Sequence, residues 1–322
     1  MKAIYYEKYG TVENLELREI EKPSPKENEI LLNVKAASLN SWDWDLLTGK
    51  PVLFRFWGFL KPKYNIPGGD VAGIVEQVGK NVSKFKPGDK VLGDLCQNGW
   101  GGFAEFVCAD EKAFTKINDS LDFIKAASLP QAAVIALQGI QDYGNVKEGQ
   151  KVLINGAGGG VGTFAIQFAK NMGAEVTGVD KTNKVELMKT HGADFVIDYT
   201  KEDFAKNGKH YDLIFDTSAY HKLGEYKNSL TSTGKFVVVG GSVNTILKTA
   251  LFGSLITLGS QKEMKVLVHA PNKNLSLISD LVAEGKLNTA IDSVYTLKDT
   301  PKAYQLLGNG DVKGKVVIEI NY

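Results

Sequence analysis

Short hydrophobic runs separated by turn residues dominate the N-terminal part of the chain, from Lys2 to about Ile117. The turn residues include Pro67-Gly68-Gly69 and Pro87-Gly88-Asp89, which favour tight reversals of the backbone. Runs of this length between regular turn signals are typical of a β-barrel or a β-sandwich. The pattern therefore predicts an all-β domain whose clearest strands are 30–39, 71–78, 89–93 and 102–107.

The pattern changes near residue 125, where 125–144 is predicted to be helical, with the helix entered at about Pro130. Beyond it, hydrophobic strands alternate with helices such as 162–172 and 183–192. This alternation predicts βαβ units that build a parallel sheet with helices on both of its faces. The predicted strands are 151–155, 175–179, 194–197, 211–215 and 235–240, with an edge strand within 264–270.

The tail of the chain has room for two further helices and two further strands, at 274–286, 291–296, 300–308 and 314–320. A chain of 322 residues is longer than one compact core usually serves, so we expect two domains and assign the tail to the first. The predicted fold class is α/β. A β-barrel domain of residues 1–124 and 271–322 is interrupted by a doubly wound parallel-sheet domain of residues 125–270.

Charge and composition narrow the possible function classes. The 38 Lys and Arg residues against 37 Asp and Glu leave a formal net charge of +1, which argues against nucleic acid as a partner. No hydrophobic run approaches the length that spans a bilayer, and the N-terminal MKAIYYEKYG lacks the apolar core of a secretion signal. We therefore expect a cytoplasmic protein without a membrane partner. We also expect a homo-oligomer (a dimer) that acts on a small molecule.

Residues that could hold zinc are few and scattered. The cysteines Cys96 and Cys108 form no CxxC pair, and four histidines lie far from both in the sequence. A zinc site needs three or four converging nitrogen or sulfur ligands. The sequence therefore predicts no metal site.

The segment 154–166, INGAGGGVGTFAI, holds a dense glycine cluster between a predicted strand and a predicted helix. In a βαβ unit this context indicates a dinucleotide-binding loop, although a mere tight turn is the alternative. Gly159 would let a pyrophosphate approach the backbone, and Gly162 would let the helix pack closely on the strand. The predicted cofactor-binding residues of this loop are Ala157, Gly158, Gly159, Gly160, Val161 and Gly162.

The end of the next predicted strand bears on the choice between NAD and NADP. Asp180 lies there, at the point where an acid normally bonds the ribose hydroxyls of NAD. Lys181 and Lys184 follow, and they either meet the 2′-phosphate of NADP or simply begin a solvated helix. These residues alone leave both cofactors open.

Four segments in order resemble the medium-chain dehydrogenase/reductase superfamily, namely 67–79, 86–91, 152–170 and 192–204. The similarity runs over nearly the whole chain and is closest to the zinc-independent quinone oxidoreductase branch. The resemblance implies a GroES-like β domain, an inserted Rossmann domain and an active site between the two.

The resemblance also shifts the expected cofactor to NADPH, with NADH as the alternative. It implies that Lys184 and Tyr199 contact the 2′-phosphate. Gly240, at the end of the predicted strand 235–240, completes the expected cofactor-binding residues together with Asp180.

Zinc-dependent members of the superfamily carry metal ligands where this chain has other residues. Asn40 stands in place of a Cys, Gly69-Asp70 in place of a His-Glu pair, and the third ligand position falls near Gln131. These residues do not build the usual zinc site. Without a Lewis acid, oxidation of a plain alcohol is difficult, whereas an electron-poor carbon needs only a positioned hydride donor.

Two polar residues are the predicted catalytic residues, because the resemblance places them along the substrate cleft. Asn40 would donate a hydrogen bond to a substrate carbonyl as enolate charge develops, or would only satisfy a turn of its own backbone. Asp43 is expected to orient its neighbours rather than to transfer protons. The aromatic segment 51–64 is predicted to be an apolar lid, with loop core or a subunit interface as the alternatives.

The sequence thus predicts an NADPH-dependent, zinc-independent reductase of quinones or α,β-unsaturated carbonyls. A second hypothesis is a cofactor-binding redox sensor or scaffold without turnover, which the fold class does not exclude. A third, a zinc alcohol dehydrogenase, is disfavoured because the ligand positions hold the wrong residues.

Overall fold

The computed structural model describes residues 1–50, 55 and 58–321. The chain folds into two compact units, Met1–Val134 with Pro271–Tyr322, and Ile135–Ala270. The aromatic segment 51–64, predicted as a lid, lies partly outside the described residues.

The first unit is built mainly from strands. Its strands are β1 (Lys2–Tyr5), β2 (Glu16–Glu19), β3 (Glu29–Leu39), β4 (Asp70–Val78), β5 (Lys90–Asp94), β6 (Phe106–Asp110) and β7 (Thr115–Lys116), with β14 (Ile291–Thr296) and β15 (Lys315–Glu319) from the tail. Its helices are α1 (Ser41–Thr48), α2 (Phe123–Ala127), the first part of α3 (Pro130–Leu137), α8 (Leu275–Ala283) and α9 (Thr300–Gly308).

The main sheet of this unit has the order β14-β15-β3-β4-β5-β7, with β6 paired to β3. All of these pairs are antiparallel except β14 with β15. β15 pairs with β3, so a strand from the tail joins the N-terminal strands in this sheet. The core holds alternate side chains of these strands, and Tyr304 of α9 packs edge-on against Phe103 with ring centroids 6.1 Å apart.

The second unit alternates strands and helices. In chain order these are β8 (Lys151–Asn155), α4 (Gly160–Asn171), β9 (Glu175–Asp180), α5 (Val185–Thr190), β10 (Phe195–Asp198), β11 (Tyr211–Asp216), α6 (Leu223–Asn228), β12 (Leu230–Val238), α7 (Val243–Ile256) and β13 (Glu263–Val266). The sheet is parallel throughout, with the order β10-β9-β8-β11-β12-β13. This is the doubly wound topology of dinucleotide-binding domains, and it confirms the predicted fold class.

Hydrophobic side chains on the faces of this sheet form the core of the second unit. Leu153, Val179 and Ile214, from three neighbouring strands, are fully buried. Tyr226 of α6 stacks on Phe236 of β12 with ring centroids 4.0 Å apart. Burial on both faces explains why these strands read as nearly continuous hydrophobic runs.

The segment between the units differs from the single helix predicted for 125–144. It forms α2, then α3 starting at Pro130, then a π-helical turn at Gln138–Tyr143. Proline lacks an N–H and fits the first turn of a helix, so the helix restarts there, as predicted. Because α2 packs on β3 and β4, the compact first unit extends to Val134, beyond the boundary predicted at residue 124.

One predicted strand of the first unit is displaced along the chain. The strand expected at 102–107 is observed as β6, four residues later. The N–H groups of Gly102 and Phe103 donate instead to the carbonyls of Gly68 and Pro67. A Cβ on Gly102 would lie 2.6 Å from the Val71 side chain, so this close approach requires glycine.

Candidate functional site

Polar residues collect where the parallel strands of the second unit end. β8, β9, β10 and β11 end at Asn155, Asp180, Asp198 and Asp216, respectively. The carboxyl ends of neighbouring parallel strands meet at one edge of the sheet, which is where such folds bind ligands. The predicted cofactor-binding residues lie in the loops that leave this edge.

The glycine loop connects β8 to α4 by a tight turn. Gly156 has a positive φ of 81°, and the N–H groups of Gly156 and Ala157 both donate to the Val179 carbonyl of β9. A Cβ on Gly162 would lie 2.3 Å from the Gly156 carbonyl oxygen, so only glycine lets α4 start this close to the strand. The close packing role predicted for Gly162 therefore has a direct geometric basis.

Gly159 is the residue before the first turn of α4 and has an extended backbone. A Cβ at this position would contact only the Gly156 carbonyl oxygen, at 3.3 Å, and would otherwise point into open space. The N–H groups of Gly160, Val161 and Gly162 precede the first acceptor within the helix. An open approach in front of unpaired helical N–H groups fits a diphosphate group.

Asp180 and Lys184 contact each other beside this loop. The Asp180 carboxylate accepts the Gly158 N–H at 3.0 Å and the Lys181 N–H at 2.9 Å. The Lys184 ammonium lies 3.6 Å from the same carboxylate, and both side chains are about nine-tenths buried. The Asp180 carboxylate thus partly neutralises the lysine that the resemblance assigns to the 2′-phosphate.

Tyr199 and Gly240 follow two other strands of the same sheet. The Tyr199 N–H donates to the Asp180 carbonyl, while its side chain is 46% exposed. The Gly240 carbonyl accepts the Ala219 N–H, and a Cβ on Gly240 would lie 2.4 Å from the Thr217 carbonyl oxygen. Tyr199 is therefore next to Asp180 and accessible, and Gly240 permits the close approach of two loops.

A buried network at the same edge was not found from the sequence. The Asp216 carboxylate accepts hydrogen bonds from the Asn155 amide at 2.9 Å, the Ser218 N–H at 2.9 Å and the Tyr226 hydroxyl at 2.7 Å. Burial raises the pKa of Asp216 to about 6, although these donors oppose the shift. The sequence does contain a pattern that indicates this network, namely an acid at the end of a hydrophobic strand in 211-YDLIFD-216.

In the first unit, the two predicted catalytic residues lie at the start of α1. Both oxygens of the Asp43 carboxylate accept backbone N–H groups, from Asn40 at 2.8 Å and from Gly68 at 2.9 Å. Burial raises its pKa to about 7, and the charge of Asp70 adds to the shift. Asp43 therefore caps the helix and ties it to the loop that precedes β4, in keeping with an orienting role.

Asn40 belongs to a buried polar cluster that also contains Ser38, Asp70 and Lys315. The Asp70 carboxylate accepts the Asn40 amide N–H at 2.9 Å, the Ser38 hydroxyl at 3.0 Å and the Gln131 N–H at 3.0 Å. The Lys315 ammonium contacts both Asp70, at 3.3 Å, and the amide oxygen of Asn40. The structure therefore brings together, at the Asp70 carboxylate, three of the positions that the resemblance matches to zinc ligands, Asn40, Asp70 and Gln131.

Burial raises the pKa of Asp70 to about 6, with the Lys315 ammonium acting in the opposite direction. Asp94, on the neighbouring strand β5, raises it further. Lys315 was not singled out from the sequence, because it lies 275 positions from Asn40 and only the β3–β15 pairing brings the two together.

Comparison with known proteins agrees with this architecture. Residues 26–119 match the alcohol dehydrogenase GroES-like domain, and residues 191–318 match the zinc-binding dehydrogenase family. Residues 126–220 match the C-terminal domain of alanine dehydrogenase/PNT. These matches fall on the strand-rich first unit and on the parallel-sheet second unit.

Three proteins that match nearly the whole of this chain have closely related names. The chloroplast envelope quinone oxidoreductase homolog of Arabidopsis thaliana is 34% identical over 99% of this chain and 98% of its own length. The chloroplastic NADPH-dependent alkenal/one oxidoreductase of Arabidopsis thaliana is 30% identical over 99% of this chain and 79% of its own length. The quinone oxidoreductase structure from Coxiella burnetii has 30% identity and a TM-score of 0.88, covering 100% of this chain and 99% of that one.

The fold and the glycine loop define a dinucleotide-binding domain joined to a GroES-like domain. The chain belongs to the medium-chain dehydrogenase/reductase superfamily, in its quinone oxidoreductase-like branch. Within the described residues, no helix is both long enough and apolar enough to cross a membrane.

Proposed function

We propose that this protein is an NADPH-dependent, zinc-independent reductase of quinones or α,β-unsaturated carbonyls. The observation that carries the proposal is the open approach to Gly159 at the start of α4, on the carboxyl edge of a doubly wound sheet. The names of two relatives that match 99% of this chain, a quinone oxidoreductase homolog and an alkenal/one oxidoreductase, support the substrate class.

The residues of the second unit fit a dinucleotide. The N–H groups of Gly160, Val161 and Gly162 would bind the diphosphate, with Ala157, Gly158 and Gly159 forming the turn in front of it. Lys184 and Tyr199 would hold the 2′-phosphate, and Asp180 would keep Lys184 in place through their ion pair. Gly240 would allow the loops after β11 and β12 to pack against each other beside the dinucleotide.

Bound NADPH supplies the hydride, so the chain needs no nucleophile of its own. Reduction of a quinone or an enone places negative charge on the carbonyl oxygen of the substrate. Asn40 is the proposed donor to that oxygen, because its amide is held by neighbours on both sides and the residue keeps 8% of its surface exposed. Asp43 positions α1 and the preceding residue Asn40 through its backbone hydrogen bonds.

Zinc independence is supported by the charges around Asn40 and Asp70. The Lys315 ammonium already compensates the Asp70 carboxylate and donates to the amide oxygen of Asn40. A divalent cation placed between these two side chains would meet a buried positive charge at close range. Zinc chemistry would therefore require Lys315 to leave the cluster or to lose its proton.

A substrate panel tests the proposed function. Purified protein is mixed with NADPH and small quinones, alkenals and alkenones, before and after treatment with a metal chelator, and loss of NADPH absorbance is followed. We expect oxidation of NADPH with at least one member of the panel, at the same rate after chelation.

The other outcomes of the panel favour the other hypotheses. NADPH binding without turnover would identify a redox sensor or scaffold. Activity that disappears with the chelator and returns with zinc would identify a metal-dependent dehydrogenase.

Two further proposals concern the protein in the cell and in solution. We propose a cytoplasmic location and a homodimer, which fractionation and light scattering would test. Light scattering should give twice the 35.1 kDa of one chain, and a mass of one chain would contradict the dimer.

A further inference from the structure

We propose that Lys315 is a positioning residue that orients and polarises the amide of Asn40 as a hydrogen-bond donor to the substrate. The inference rests on the proposed function, because it gives Asn40 a substrate oxygen to bind. Lys315 itself touches no substrate in this proposal.

All three N–H groups of the Lys315 ammonium have acceptors within the first unit. They reach the Asn40 amide oxygen, the Asp70 carboxylate at 3.3 Å and the Leu39 carbonyl at 3.5 Å. The side chain is 3% exposed. An ammonium with every donor engaged and no access to solvent has no proton to offer a ligand, so its influence must pass through its neighbours.

These contacts determine which way the Asn40 amide faces. An ammonium only donates, so the atom of Asn40 nearest Lys315 must be the oxygen. A carboxylate only accepts, so the atom nearest Asp70, at 2.9 Å, must be the nitrogen. The amide is therefore held in one orientation by opposite charges at its two ends.

One N–H of the Asn40 amide is left over. The nitrogen has two, of which Asp70 takes one, and in the part of the chain that the structure describes no acceptor faces the other. Asn40 is 8% exposed, and in this proposal this N–H donates to the substrate oxygen. Rotation of the amide would replace the donor with an oxygen and would repel a substrate carbonyl.

Lys315 also strengthens this donor. A charge-assisted hydrogen bond to the amide oxygen draws electron density from the nitrogen and makes its N–H groups better donors. The effect is larger in a buried environment of low dielectric constant, and Asn40, Asp70 and Lys315 are all buried. Asp70 keeps the ammonium in position, and the other acids near Asp70 are Asp43 and Asp94.

Three substitutions at one position test the inference. Lys315→Met removes the charge and the donors, Lys315→Gln keeps a neutral donor, and Lys315→Arg keeps the charge. We expect kcat to decrease in the order wild type, Arg, Gln, Met, with KM for NADPH unchanged. The Met variant should lose about tenfold in kcat, less than the ~10²–10³ caused by loss of a whole oxyanion donor. Lys313→Met, on the exposed residue two positions earlier, is the matched control.

A double substitution separates positioning from general damage. If Lys315 acts through Asn40, then Lys315→Met should cost nothing further in kcat when it is added to Asn40→Ala. A merely structural role would lower kcat in both backgrounds alike. Where Lys315→Met does not fold, the same cycle is measured with Lys315→Gln.

The result that overturns the inference is a kcat unchanged by all three substitutions in an active enzyme, which leaves the proposed function intact. If the wild type oxidises no NADPH with any substrate, the proposed function fails. The part of the inference that concerns the Asn40 amide alone, its orientation by Lys315, is then tested by NMR of protein with isotope-labelled asparagine. The side-chain amide signal of Asn40, assigned by its loss in Asn40→Ala, should exchange with water faster in Lys315→Met than in wild type. Equal exchange would overturn the inference.

Discussion

The glycine loop of the second unit and the Asn40 cluster of the first unit present polar groups in two different ways. The loop is one continuous stretch, 156–162, in which five of the seven residues are glycine. It offers backbone N–H groups that few side chains cover. The cluster takes Asn40, Asp70 and Lys315 from three strand ends far apart in the sequence. It offers one side-chain N–H, held by charged neighbours.

The difference shows what each region depends on. In the loop, function depends on the space that a missing Cβ leaves, and charge comes from the helix start. In the cluster, it depends on hydrogen-bond direction and on the balance between a buried acid and a buried ammonium. Substitutions should therefore act on the loop through volume and on the cluster through charge.

Gly159→Val should produce the largest effect on cofactor binding. Because an added side chain points into open space, the fold should persist while the place of the diphosphate is filled. We expect NADPH affinity to fall about a hundredfold or more, with little change in melting temperature. Titration calorimetry and thermal denaturation measure the two effects separately.

Gly162→Val, in the same loop, provides a comparison for Gly159→Val. Its Cβ would lie 2.3 Å from a backbone oxygen, so the fold itself should lose about 1–3 kcal/mol. If Gly159→Val instead destabilised the fold as much as Gly162→Val, or left NADPH affinity intact, the loop would not be the diphosphate site.

Lys184→Ala should have an intermediate effect on NADPH affinity, because this side chain adds a charge next to a loop that otherwise binds through backbone N–H groups. Lys184 already pairs with Asp180 at 3.6 Å, so the gain from a 2′-phosphate is only part of a full charge-assisted hydrogen bond. We expect NADPH affinity to fall about tenfold and NADH affinity to change little. The control is Lys189→Ala, whose lysine is exposed and paired with Glu186.

The converse substitution is Asp180→Asn, which keeps an acceptor for the Gly158 N–H and removes the charge. NADPH should then bind more tightly relative to NADH. Equal losses for both cofactors in Lys184→Ala would show that Lys184 does not contact the 2′-phosphate.

The last expected effect concerns pH, since each of the two units contains an acid whose pKa burial raises to about 6, Asp70 in the first and Asp216 in the second. The native state holds these protons at pH values where the unfolded state has released them. The free energy of unfolding therefore loses a contribution as pH rises from about 4 to about 6. For Asp216 this contribution is on the order of 1–3 kcal/mol.

Asp216→Asn checks this sign. Chemical denaturation at about pH 4.5 and about pH 7.5 should show that wild type loses more stability with rising pH than the variant does. Asp216→Asn also loses hydrogen bonds, but this loss lowers the stability of the variant at both pH values and so cancels when the change with pH is compared. An identical pH dependence of the two proteins would contradict a raised pKa for Asp216.

Much of the fold could be predicted because its signals are local. The parallel strands are buried on both faces, so β8 was predicted with its observed bounds and β9 to within one residue. Pro130 marked a helix start for the same local reason. The strand predicted at 102–107 was misplaced because Gly102 packs against a distant loop, which a local pattern does not report.

The two candidate sites differ in the same way. Spacing within one segment identified the glycine loop, and resemblance to a family identified Asn40. Neither indicated Lys315, because its contact with Asn40 depends on strand pairing across most of the chain. The Asp180–Lys184 ion pair was also missed, since separate roles were assigned to two residues that the fold places together.

The central claim is that this protein transfers a hydride from NADPH to an electron-poor carbon without a metal. Chelator-treated enzyme is given NADPH that carries deuterium at C4 of the nicotinamide ring, on one face or the other, together with an enone identified by the substrate panel. Mass spectrometry of the reduced product should then find one deuterium on the carbon β to the carbonyl for one of the two labelled cofactors. Product without deuterium from either cofactor, or product formed only when zinc is restored, would contradict the account.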